Sequence, residues 1–347
     1  MRRILSVLVG VLLAISFSSC GNVRRYVKQD NIHLNYNNIS ADNAYYWLTE
    51  DALYYSHAPF LTLRYYAMTP QGRKTITSAE QGAFAQIQAY GNTLYMLDFH
   101  ENYKGVSNYR LHTYDLTDGS KNEIGFIESV RSYFALDDWI FYTQENVAED
   151  ELVTALKAIS SDGQKTLTVA DSILAAGTVD NQPVYLKREG NAFSFYAYDT
   201  TQGQSILRSS FVLDLSAGAY LTPFYNFTSR YVVMATTHDE NSKLVCYDIE
   251  TTQLTEYPID RFIDSAIVYN EYAFIVVVDE YMDDTAQHEN TVYRFRLADG
   301  HIEKITELNG MVFTFVASDE YVYISSLLDD DIYRFDASGE KTLVCDF

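Results

Sequence analysis

Two groups of ionisable residues have types and spacings that could do chemistry. The first recurs at the ends of short apolar runs: His57, Asp98 with His100, Glu145, Lys187 to Glu189, His238 with Asp239, Asp279 with Glu280, and Asp329 to Asp331. Carried to one rim of a folded domain, such residues would offer carboxylates and imidazoles to a divalent cation or a basic partner. Polar loops facing water explain the same residues more simply, and that plainer reading is preferred for most of them. The second group lies in the acidic segment 279–290, DEYMDDTAQHEN. Its Asp279, Glu280, Asp283 and Asp284 could ligate calcium through oxygen. The segment lacks the alternating Asp/Asn order and the glycine of a calcium loop, so a solvated insertion fits it better.

Other chemistries leave no trace. No closely spaced His or Cys set points to zinc, and the chain contains no Gly-x-Ser-x-Gly elbow, His-Glu-x-x-His helix, phosphate loop or dinucleotide fingerprint. No cofactor is implied. Paired carboxylates mean little where 47 acids make chance pairs common. The formal charge of −22 argues against nucleic acid, whose phosphates require clustered Lys and Arg.

The elements that must position these residues follow from aromatic content and periodicity. With 30 Tyr and 19 Phe the chain favours pleated, half-buried surfaces. Between Gly91 and Gly119 a turn, an alternating run (TLYMLDF), a polar loop from His100 to Ser107, a second run (NYRLHTYDL) and a Thr-Asp-Gly turn describe two antiparallel strands. The unit recurs. Turns at Glu50-Asp51, Gly91-Asn92, Asp137-Asp138, Asp180-Asn181, Ser229-Arg230, Asn270-Glu271 and Asp319-Glu320 each open an aromatic or apolar strand, here called b. A following strand c closes on a second turn, which ends in Gly in every unit except the fifth, where Thr252 stands. Strand d follows each turn (KTITS, NEIGF, KTLTV), and strand a precedes each b (FAQIQAY, SAIVYN).

Four strands in each of seven units, spaced by roughly 45 residues, predict an all-β fold, a seven-bladed β-propeller over 43–347. A different division of one unit leaves six or eight blades open. Every unit supplies its own four strands, so ring closure is expected to rest on packing of the last blade against the first. Cys246 and Cys345 fall in different units and on different strands, which predicts two buried free thiols and no disulfide. The b-to-c loops and d-to-a links share one face, the expected ligand face. The many tyrosines could form a carbohydrate platform, although packing between blades explains them first.

Leu53-Tyr54-Tyr55, Leu94-Tyr95, Tyr293-Arg294-Phe295 with Asp299-Gly300, and Tyr333-Arg334-Phe335 resemble the propellers of the low-density-lipoprotein-receptor type and related bacterial lipoproteins of unknown function. The resemblance spans about 43–347. The full Tyr-Trp-Thr-Asp motif is absent, so the likeness implies a fold and confers no site residue.

The N-terminus predicts an address. Arg2 and Arg3 precede an apolar run from Ile4 to Ile15 and small residues ending at Ser18-Ser19-Cys20-Gly21. This pattern describes a signal peptide over 1–19, and it resembles a bacterial lipoprotein signal in which Cys20 is acylated. Residues 20–42 read as a lipidated cysteine and flexible tether, with Arg24, Arg25 and Lys28 near the lipid. The protein is therefore expected outside the cytoplasm, membrane-anchored through Cys20 and monomeric. The leading expectation is a non-catalytic platform that binds a protein, peptide or glycan. A glycan-active hydrolase or lyase at the channel mouth is the alternative, recognisable by a cluster of His, Arg and carboxylates within mutual reach. An envelope assembly scaffold is a third.

Overall fold

The architecture comes from a computed structural model, which describes residues 26–29, 46–57, 64–78, 85–103, 106–148, 151–238, 241–281, 288–309, 312–317, 321–326, 329–336 and 338–345. These form seven sheets of four antiparallel strands, and in each sheet the spatial order is the order of the chain. Blades 1 to 7 occupy 46–78, 85–128, 130–170, 173–212, 220–259, 262–309 and 312–345. Each blade is a meander a-b-c-d. Its a–b and c–d turns lie on one face of the ring, and its b–c turns and the d-to-a links lie on the other.

Packing between blades explains the strand patterns. In strand b of blade 5 (Tyr231–His238), Val232 and Met234 pack towards blade 4 while Tyr231, Val233 and Ala235 pack towards blade 6. A strand buried on both faces needs no alternation, hence the continuous apolar YVVMA. Strand b of blade 2 (Thr93–Tyr103) does the same, with Leu94 and Met96 towards blade 1 and Tyr95 and Leu97 towards blade 3. Seven apolar clusters fill the seven seams between neighbouring blades, including the seam between blades 7 and 1. Each fully buried Leu, Val or Phe contributes roughly 1.5–3 kcal/mol, so stability is distributed around the ring.

Closure involves more than blade-on-blade packing. Within the segment expected to be a tether, Tyr26–Gln29 is clamped between blades 7 and 1. Tyr26 pairs with Cys345 of blade 7 in an isolated antiparallel bridge. The Val27 amide donates to Val344 O at 2.8 Å, and the Gln29 amide donates to Glu50 O at 2.9 Å. The Tyr26 ring is 1% exposed within the seam cluster, and its hydroxyl donates to Thr49 O at 2.6 Å. Arg334 of blade 7 donates to Gln29 Oε1 at 3.0 Å. The rest of 20–42, Cys20 included, lies outside the described residues.

The turns obey local chemistry. Asp115, Asp199, Asp248 and Asp336, each at the end of a strand c, accept backbone amides two or three residues ahead, which folds the c–d turn. Thr252 holds a φ of +57° where the equivalent turn positions carry Gly119, Gly203 and Gly300 at +67° to +76°. Gly300 is also a packing requirement, because a Cβ there would lie 2.5 Å from the Tyr257 ring of the preceding blade. Cys246 and Cys345 are buried and free, in blades 5 and 7, and burial pushes the Cys246 thiol up to about 12.

Candidate functional site

A recess formed by described residues opens on the face of the a–b turns, opposite the face favoured by sequence. It has a volume of about 370 Å³ and is built by successive turns of blades 4, 5 and 6, with Asp180, Ser229, Arg230, Glu250, Asn270 and Glu271 in its lining. Asp180, Asn181 and Asn270 hold φ values of +48° to +56°. Asp and Asn tolerate this left-handed backbone better than other non-glycine residues, so turn geometry alone explains part of the polarity here.

Arg230 is fixed within the recess. Its Nε and Nη2 donate to Asp248 Oδ2 at 3.1 and 2.9 Å, and Nε lies 3.6 Å from Glu250 Oε2. Burial raises the Asp248 carboxyl, but hydrogen bonds from Arg230 and from the Thr251 and Glu250 amides outweigh it and hold the group below the usual range. The guanidinium also lies over the Tyr231 ring, 5.0 Å from its centroid. Tyr231 lines the recess and is 2% exposed, and its hydroxyl has no hydrogen-bond partner among the described residues.

A smaller recess of about 180 Å³ lies on the b–c face beneath the link between blades 4 and 5, lined among others by Asp214, Thr236, His238, Lys243, Glu256 and Asp260. His238 is exposed, with Nε2 3.1 Å from Ala217 O. Lys243 is paired with Glu256 at 2.7 Å.

The other residues singled out in the sequence scatter. Strand b of blade 2 runs on to Tyr103 and strand c begins at Val106, so the loop expected from His100 to Ser107 shrinks to two residues. Asp98 and His100 are consequently strand residues. Asp98 is 0% exposed, enclosed between blades instead of standing on the rim. His100 is half-buried and packs on Phe126, with ring centroids 5.0 Å apart. Glu145 is half-buried, 3.4 Å from Arg131. Asp279, at the end of strand b in blade 6, accepts from Thr291 and pairs with Arg261. The backbones of His57, Glu280 and Asp329 are in strands. Asp239, Asp283 and Asp284 lie outside the described residues, and among the described residues no group of three or more His, Cys, Asp or Glu could hold a metal ion. No described helix is long and apolar enough to cross a membrane.

One cluster has the composition expected of an acid–base site. Arg110 Nη2 lies 3.4 Å and His112 Nδ1 3.6 Å from Asp98 Oδ2, between blades 1 and 2. Tyr65 of blade 1 meets the His112 ring edge-on at 5.8 Å. Burial raises the Asp98 carboxyl to about 7, with Arg110 acting against it. Burial also lowers His112 to about 4, assisted by Arg110 and Lys121. Perturbations of this size often mark functional groups. Here the carboxylate is sealed between blades, so a polymer substrate has no approach to it.

No family model matches the chain, and no curated protein matches it. Solved structures do. The uncharacterized protein lmo1340 from Listeria monocytogenes EGD-e is similar over 92% of this chain and 97% of its own, with a TM-score of 0.56 and 10% identity. Oligopeptidase B from Leishmania major has a TM-score of 0.56 and 10% identity over 90% of this chain and 49% of its own. Pyrococcus horikoshii acylaminoacyl peptidase has a TM-score of 0.54 and 14% identity over 88% and 53%. The chain thus spans about half the length of these peptidases. At such identities the likeness is one of fold alone, a propeller.

Proposed function

We propose that the protein is a non-catalytic, membrane-anchored propeller that binds a protein, peptide or glycan on the extracytoplasmic side, held there by acylated Cys20. The observation that carries the reading is the polar recess across the turns of blades 4 to 6, whose Arg230 is already locked to Asp248 and Glu250. A rigid scaffold presenting turns at one face is a general solution for binding, and function on such a fold resides in the site.

The alternative, a glycan-active hydrolase or lyase, draws on the cluster of Asp98, Arg110 and His112. Its composition suits acid–base work, but its enclosure does not. Photo-crosslinking decides between the readings: a photoreactive residue at Ser229 in the recess is compared with one at Asn191 on the opposite face, in the anchored protein on its native cells. A single stoichiometric adduct from position 229 and none from 191 supports the platform. Recovery of a cleaved glycan, or no adduct at 229, contradicts it.

A further inference from the structure

We infer that the corner of the propeller formed by the c–d turn of blade 1 and the strap Tyr26–Lys28 rests against an anionic lipid surface, which tilts the ring so that blades 4 and 5 stand furthest from the membrane. The inference rests on the acylation of Cys20 and states how the anchored platform is held.

Chain length is the first support. The strap is fixed to the turns of blade 1: the Tyr26 amide donates to Thr69 O at 3.2 Å, the Tyr26 hydroxyl to Thr49 O at 2.6 Å and the Gln29 amide to Glu50 O at 2.9 Å. Six residue steps separate Tyr26 from Cys20, and a chain that short spans at most about 21 Å even when fully extended. An acyl group on Cys20 therefore holds this corner close to the bilayer surface. Blade 4 lies half a ring away from the seam of blades 7 and 1, so the same tether leaves it free to stand clear.

Charge is the second support, and it is independent of the tether. Six of the seven c–d turns carry a carboxylate: Asp115, Asp162, Asp199, Asp248, Asp299 and Asp336. The exception is blade 1, whose turn folds through Thr69 instead; the Thr69 hydroxyl accepts from the Gln71 amide at 3.3 Å and donates to Gly72 O at 3.0 Å. That turn leads directly into Arg73 and Lys74, both exposed. The adjoining a–b turn adds Glu50 and Asp51, and Lys28 of the strap pairs with Asp51 at 3.2 Å. Among the described residues, blade 1 with its strap is thus the one sector of this face where cations outnumber carboxylates, in a chain of net charge −22. Val27 on the strap adds an apolar side chain that is 48% exposed. A basic patch beside an acyl chain reinforces it at an anionic surface, while the carboxylate-bearing turns of the other blades are repelled and lift that side of the ring.

The test is energy transfer from a dye on the acylated full chain to acceptor-labelled lipid headgroups, in vesicles of equimolar phosphatidylcholine and phosphatidylglycerol. The dye is placed by Gln71→Cys in the turn of blade 1 or by Gln202→Cys in the equivalent turn of blade 4. Both positions are exposed, and the native Cys246 and Cys345 are buried, so labelling is selective. Transfer should be several-fold stronger from position 71 than from 202. The Arg73→Gln, Lys74→Gln double variant should lose most of that difference, since each charge near an anionic surface contributes about fivefold. On vesicles of phosphatidylcholine alone the double variant and the wild type should coincide. Equal or weaker transfer from 71, or a double variant that matches the wild type on the mixed vesicles, overturns the inference. Failure of the protein to sediment with either vesicle overturns the acylation reading and the inference with it, whereas bound protein without the difference leaves the anchor standing and removes only the orientation.

Discussion

Replacing Asp98 by Asn should make the protein more stable at alkaline pH and leave it unchanged near pH 4. Asp98 is 0% exposed, and its carboxyl titrates at about 7 in the fold, against 3.8 when unperturbed. Unfolding lets that proton go at any pH between these values. The raised pKa therefore favours the folded state fully below 3.8, and the advantage is lost as pH rises through 7. A difference of three units corresponds to about 4 kcal/mol, drawn out at about 1.4 kcal/mol per pH unit. Asn keeps the shape and an acceptor for Arg110 but carries no proton to lose. His112 titrates in the opposite sense: its lowered pKa of about 4 costs stability as pH falls below 6.5. His112 stands 3.6 Å from the replaced carboxyl, so the comparison is repeated in a His112→Gln background to separate the two titrations. Urea denaturation at pH 4, 6 and 8 provides the assay, with equal m-values as the check on two-state behaviour. The variant should gain nothing at pH 4 and up to about 4 kcal/mol at pH 8. A pH-independent difference, or a variant less stable than wild type at pH 8, would refute the reasoning.

Three further perturbations probe the ring and its anchor. Tyr26→Ala removes a buried ring from the seam of blades 7 and 1 and should cost about 3–5 kcal/mol in the same denaturation assay; a loss below about 1 kcal/mol would show that the segment does not close the ring. Thr252→Gly relieves a β-branched residue at a φ of +57° and should stabilise by about 1 kcal/mol, read as a raised thermal midpoint. Cys20→Ser should move the protein from the membrane fraction to the soluble fraction. Equal membrane association of variant and wild type would remove the acylation reading.

Blade number and strand order were legible because each b strand must satisfy two neighbours at once, so YVVMA and TLYML advertise themselves as runs. Tight turns helped, since only Gly, Asn and Asp adopt positive φ easily and so recur where a–b and c–d hairpins close. Asp98 misled for the same reason that strands are readable. A carboxylate six residues into a run looks like a strand end, yet the strand passes through it because Arg110 stands opposite. The clasp at Tyr26 was invisible, since one bridge and a few backbone hydrogen bonds leave no periodicity. The recess was half visible. Asp180-Asn181 and Asn270-Glu271 served to count blades, and their acidity passed as turn chemistry. Only the three-dimensional neighbourhood of Arg230, Asp248 and Glu250 makes a recess of them.

The most direct test of the platform account is equilibrium capture by the purified full chain from a defined array of glycans and of basic, acidic and neutral peptides, with mass spectrometry of the bound and unbound pools. The account predicts stoichiometric retention of one class of peptide or glycan, recovered at its original mass, and loss of retention when the recess is filled by Ser229→Trp. Glycans or peptides returned at altered mass in more than stoichiometric amount would contradict it.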